Sequence, residues 1–209
     1  MSDNKKLSDI EKFRKLVNLS DEKINVEVIG RIGNGFVTFL EKSKDAKLKQ
    51  VTITGLDVKH TFAFQLDVKE ENKDVKKYRL SPFLNPSLAN ITKACEGVIF
   101  TVVESELIVY LCELKSKAPE PNEYTKKFKS SECFIFYLEK LAKEFMGFDG
   151  KLIIKRLLFD RKKNATKTPT KVYKIEKELV KSEGIEMEIY YIHHLNPYKD
   201  EFLNVRHLQ

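Results

Sequence analysis

Two apolar runs stand back to back near the middle of the chain, Gly97-Val98-Ile99-Phe100-Thr101-Val102-Val103 and Leu107-Ile108-Val109-Tyr110-Leu111-Cys112. Runs of this length, rich in β-branched and aromatic residues and bounded by polar ones, read as strands. Only Glu104-Ser105-Glu106 separates them, and a connection this short joins antiparallel strands in a hairpin. With Glu104 and Ser105 as the turn, Val103 faces Glu106, and continuing the pairing places Glu96 opposite Glu113. Both faces of the second run are apolar, as expected of a strand covered on two sides.

The second run ends in Glu113-Leu114-Lys115, a charged pair where the apolar pattern predicts none. Side chains alternate along a strand, so Lys115 shares the face of Glu113. Directly opposed side chains sit about 5 Å apart, which brings Glu96 into the same group. Two close carboxylates repel unless a cation lies between them. Mg²⁺ is commonly held by one or two carboxylates plus water and substrate phosphate, and it supplies an activated water and a polarised phosphoryl oxygen. A neighbouring Lys stabilises the charge that builds in the transition state. The set suits phosphodiester hydrolysis; the plainer reading is a salt-bridged hairpin end.

The order acid, hairpin, Glu-x-Lys resembles the PD-(D/E)xK nuclease superfamily over roughly residues 85–155, most strongly from Ala94-Cys95-Glu96 to Glu113-Leu114-Lys115. The resemblance implies a mixed α/β core like that of restriction endonucleases and a Mg²⁺ (or Mn²⁺) cofactor. By it, Glu96 and Glu113 are the metal ligands and Lys115 is the catalytic lysine. Glu96 stands where that family usually has Asp, which lengthens the ligand arm by one methylene. Many members carry a Lys or Gln on the following helix that faces the site, and Lys127 or Lys129 fits that place. The resemblance assigns no acidic residue on an upstream helix. The implied activity is a metal-dependent nuclease, more readily on DNA, in restriction, repair or defence. A non-catalytic nucleic-acid or protein binding module on the same fold is the alternative.

The charge pattern bears on the partner. The chain of 209 residues carries a formal net charge of +7. Between Lys151 and Lys177 basic side chains crowd together, opposed only by Asp160 and Glu176. Such a stretch is the electrostatic footprint of a polyanion-binding surface. We therefore expect a nucleic-acid partner, with Lys127, Lys129, Arg161, Lys162, Lys163 and Lys167 on its phosphates, the last four in a basic loop over 160–174. A homo-oligomer or protein partner is left open. The sequence shows no apolar segment of membrane-spanning length and no signal peptide, so a cytoplasmic location without membrane contact is expected. Cys95, Cys112 and Cys133 lie in apolar stretches at no metal-binding spacing and read as buried thiols, Cys95 and Cys112 pointing away from the Glu113 face.

The remaining pattern predicts an α/β fold with a mixed central sheet flanked by helices and an N-terminal β-rich extension. We expect a helix and β-rich subdomain over 1–80 and the nuclease-like core over 81–209. Ser8 and Glu11 make a capping box for a helix with Leu7, Ile10, Phe13, Leu16 and Val17 on one face. Strands follow over 24–67, either as a subdomain or as an extension of the main sheet, with a turn at Gly33-Asn34-Gly35. Asp67 is a minor candidate for the site. Residues 69–77 are a charged loop, and a short helix is expected over 87–94. Lys117-Ala118-Pro119-Glu120-Pro121-Asn122 is a loop. The helix of 123–146 carries Phe128, Ile135, Leu138, Ala142 and Phe145 in one stripe. Strands are expected over 151–159 and around Ile185 to Tyr191, followed by an irregular end. His193 and His194 face opposite ways, which argues against a shared metal.

Overall fold

The hairpin between residues 97 and 112 forms the centre of the molecule. The structure, a computed structural model, describes residues 8–20, 25–30, 34–40, 48, 50–67, 91, 93–115, 120–161, 173–194 and 202–208. Strands β5 (Gly97–Val103) and β6 (Glu106–Lys115) pair from Gly97↔Cys112 to Val103↔Glu106, the expected register. Glu104 and Ser105 make the turn at positive φ, 49° and 71°. That left-handed pair matches the twist of the flanking strands.

Five further strands extend this hairpin. On one side lie β4 (Thr61–Gln65) and then β1 (Asn25–Val26), both antiparallel to their neighbours. On the other side, α2 (Pro121–Met146) crosses over to β7 (Leu152–Arg161), which runs parallel to β6. Next comes β9 (Ile185–His194), parallel to β7, with β8 (Tyr173–Ser182) antiparallel at the outer edge. The order is β1-β4-β5-β6-β7-β9-β8. A smaller sheet holds β2 (Gly35–Leu40), β3 (Gln50–Leu56) and β10 (Phe202–Asn204), with β3 in the middle. The fold is α/β, a seven-stranded mixed sheet flanked by two helices.

The strand period explains the layers. On β6, Leu107, Val109 and Leu111 pack toward α2 and α1 (Asp9–Leu16), with Phe13, Phe100, Phe128 and Ile135. Ile108, Tyr110, Cys112 and Leu114 pack the other way, against Phe39, Val51, Ile53 and Leu203 of the small sheet. Each such side chain, once buried, contributes about 1.5–3 kcal/mol, which is why a strand apolar on both faces demands a layer on each. The layers approach closely at Gly97, where a Cβ would run into the Phe39 ring.

Several expectations meet a different arrangement. The 24–67 strands divide between both sheets: β1 and β4 join the main sheet, β2 and β3 the small one. The small sheet takes β10 from the far end of the chain, so strand pairing crosses the boundary expected at residue 80. The capping box does not form: Ser8 is the N-cap of α1 but makes no side-chain cap bond, and the Glu11 carboxylate pairs with Arg14 at 2.6 Å. Helix α2 begins at Pro121, within the expected loop. Phe145 is 79% exposed; Gly147, at φ 62°, turns the chain so that Phe148 fills the apolar position under the helix end. Cys133 is exposed on α2. Cys95 and Cys112 are buried, Cys112 on the small-sheet side but Cys95 among the side chains beneath α2. Residues 69–77 and most of the expected 87–94 helix lie outside the described residues.

Candidate active site

The carboxyl ends of the parallel strands β6, β7 and β9 meet the first turns of α2 at one end of the sheet. In open α/β sheets this is where ligands bind. The crossover from β6 to α2 brings residues distant in sequence over the hairpin end.

Glu113 is the centre of the group. Its side chain is 0% exposed, and its carboxyl lies against the Lys127 and Lys115 ammoniums and the Glu96 carboxyl. Two ammonium groups face its Oε1: Lys127 Nζ at 2.6 Å and Lys115 Nζ at 3.2 Å. Glu96, just before β5, folds over the end of β6, where its Oε2 accepts the Leu114 N–H at 2.9 Å. Its Oε1 accepts from Lys127 Nζ at 3.0 Å. One ammonium therefore touches both carboxylates, which bounds their separation to two short contacts end to end.

The protonation balance follows from burial and proximity. Burial first, and then the charge of Glu96, push the Glu113 carboxyl well above the usual range of about 4.5. Burial works the same way on Glu96, but the neighbouring Glu113 carboxyl, the Lys127 ammonium and the Leu114 N–H outweigh it and lower its pKa. The pair behaves as one carboxylate and one carboxylic acid. Burial opposes the charge on Lys127, yet the two glutamates overcome it and raise its pKa.

The expected residues separate clearly. Glu96, Glu113, Lys115 and Lys127 come together. Lys129 does not: it is 55% exposed and lies 3.8 Å from Glu132, which also binds Arg156 of β7. Arg161 closes β7; its side chain and Lys162, Lys163 and Lys167 lie outside the described residues. Asp67 is buried just past β4, where the Leu66 N–H donates to the Glu96 carbonyl at 3.0 Å. Lys115 also lies 3.5 Å from Glu123 in the first turn of α2.

A second polar group on the same sheet face had no sequence signal. Asp160, the cross-strand neighbour of Lys115, is also the neighbour of His193 on β9. His193 Nδ1 lies 2.6 Å from Asp160 Oδ1, and Nε2 lies 2.7 Å from Glu176 Oε2 on β8. Tyr191 stacks on His193 at 6.0 Å between ring centroids, and its hydroxyl meets that of Tyr124 from α2 at 2.7 Å. Three separate strands supply this cluster, so no local spacing announces it.

No family model, curated protein or solved structure matches the chain. Among the described residues, no group of three or more His, Cys, Asp or Glu side chains is arranged to hold a metal ion. The two glutamates remain a fit for one partly hydrated divalent ion, since such sites need only one or two carboxylates. The buried carboxyl pair, with ammonium groups already drawn to it, is a place that favours a cation. No helix among the described residues is long and apolar enough to cross a membrane.

Proposed function

We propose that this chain is a metal-dependent nuclease acting on phosphodiester bonds, more readily those of DNA. The observation that carries the reading is the Glu113 carboxyl, fully buried at the strand end, facing Lys115 and brought together with Glu96 through Lys127. Burying two acids side by side works against the fold, and such a cost is tolerated where function needs it. Glu96 and Glu113 would hold Mg²⁺ or Mn²⁺, which when bound supplies a polarised phosphoryl oxygen and an acidified water.

The chain's own residues do the rest. Lys115 reaches the strand end from the face of Glu113 and is the more exposed of the two site lysines, 22% against 14% for Lys127. It orients the attacking water and balances charge on the phosphoryl oxygen. The basic stretch around residues 161–174 grips backbone phosphates, contacts that give affinity without reading sequence. Free thiols at Cys95, Cys112 and Cys133 support a cytoplasmic setting. A role in restriction, repair or defence rests on family resemblance alone.

The test is cleavage of labelled single- and double-stranded DNA and RNA in Mg²⁺, Mn²⁺ or EDTA, with Glu113→Gln and Lys115→Met beside the wild type. Metal-dependent cleavage lost in both variants is the expected result. Binding without cleavage that survives EDTA and both substitutions would refute it in favour of a non-catalytic nucleic-acid binder.

A further inference from the structure

Lys127 was expected at a nucleic-acid phosphate or facing the site from its helix, and its ammonium is turned inward, 3.0 Å from Glu96 Oε1 and 2.6 Å from Glu113 Oε1. Among the described residues it is the only side chain paired with both glutamates. It stands at the point from which one cation reaches both carboxylates. A divalent ion making oxygen bonds of roughly 2.1 Å needs the same lone pairs, and two cations cannot share that point. Charge leads to the same conclusion: even with both glutamates ionised on metal binding, Lys115 and Lys127 already balance them, so a divalent ion added with both lysines in place would leave a buried excess of positive charge.

We propose that Lys127 is a displaceable counter-cation: it holds the carboxylate pair in the metal-free protein and is driven off by the divalent ion toward the incoming phosphate. The inference rests on the metal-site reading above. The lysine stem has the freedom this requires, since its four-carbon chain turns on several rotatable bonds. Its root is fixed, because α2 is held there by buried Tyr124 and Phe128 and by Ser131, whose Oγ–H donates to the Lys127 carbonyl at 2.8 Å. Lys115 differs: it reaches only Glu113 of the pair and is shared with Glu123. The two lysines thus divide the work, Lys115 staying at the reacting centre and Lys127 exchanging with the metal.

Calorimetric titration of the full chain with Mn²⁺ tests this, comparing wild type, Lys127→Met, Lys127→Gln, Lys115→Met and Glu113→Gln. Without a cation to displace, both Lys127 variants are expected to bind Mn²⁺ about tenfold tighter or more, the worth of one charge-assisted hydrogen bond. Lys115→Met is expected to change affinity less, and Glu113→Gln to abolish binding. Lys127→Gln keeps two N–H donors for the glutamates and covers the case in which Lys127→Met does not fold. Wild-type binding that is equal or weaker in the Lys127 variants would overturn the displacement and leave the metal site standing. No wild-type binding, or binding untouched by Glu113→Gln, would remove the metal site and the displacement together.

Discussion

Glu113→Gln is expected to stabilise the metal-free fold, and increasingly so as pH rises. In the wild type, burial and the charge of Glu96 keep the Glu113 carboxyl protonated far above its ordinary value of 4.5. The unfolded chain releases that proton near 4.5, so above it the folded state binds more protons. Stability then falls with rising pH, by up to about 1.4 kcal/mol per unit, until the folded pKa is passed. Glu96 runs in the opposite sense. Its lowered pKa adds stability that is present above the unfolded value and lost only in acid, so above about pH 5.5 it adds no slope. The variant should therefore gain stability relative to the wild type as pH rises above the unfolded value, read as a widening gap between the two urea midpoints. Urea unfolding in EDTA at several pH values is the assay. Parallel pH profiles for the two proteins would refute the protonated, buried Glu113.

Three further outcomes are expected. Lys115→Met should lower metal-dependent cleavage by about 100-fold or more while leaving the far-UV spectrum unchanged, as for the loss of one transition-state charge contact; an unchanged cleavage rate would remove Lys115 from the chemistry. His193→Ala should destabilise the fold by about 1 kcal/mol or more in chemical unfolding, since it removes the imidazole that bridges Asp160 and Glu176; an unchanged midpoint would mean that the bridge adds nothing to stability. Gly97→Ala should cost about 1–3 kcal/mol by driving a methyl into the Phe39 ring, and Gly97→Ala combined with Phe39→Leu should recover part of that loss; a neutral Gly97→Ala would mean the two sheets do not meet there.

How much of this was legible in the sequence varied with how local the signal was. The β5–β6 register could be read because both runs are short-range neighbours and a two-residue turn leaves one pairing. That register alone placed Glu96 beside Glu113. By contrast β8 was missed, because an edge strand bearing Lys174, Lys177, Glu178 and Lys181 with Leu179 exposed shows no clean alternation. Strand β10 was missed because three residues carry too little pattern, and its parallel partner β3 lies far back in the chain.

The sequence by itself determined the elements whose stability is local: the central hairpin, the long helix, and the juxtaposition of two acids and a lysine at one strand end. The tertiary structure decided what depends on rotation and crossing. Residues two apart on a helix point about 200° apart, so the packing that buries Tyr124, Phe128 and Ile135 turns Lys127 into the site and Lys129 out to solvent. The parallel pairing of β6, β7 and β9 likewise brings Asp160, His193 and Glu176 to the same end as Glu113. Neither placement follows from spacing, because each is fixed by which apolar faces bury together across elements far apart in the chain.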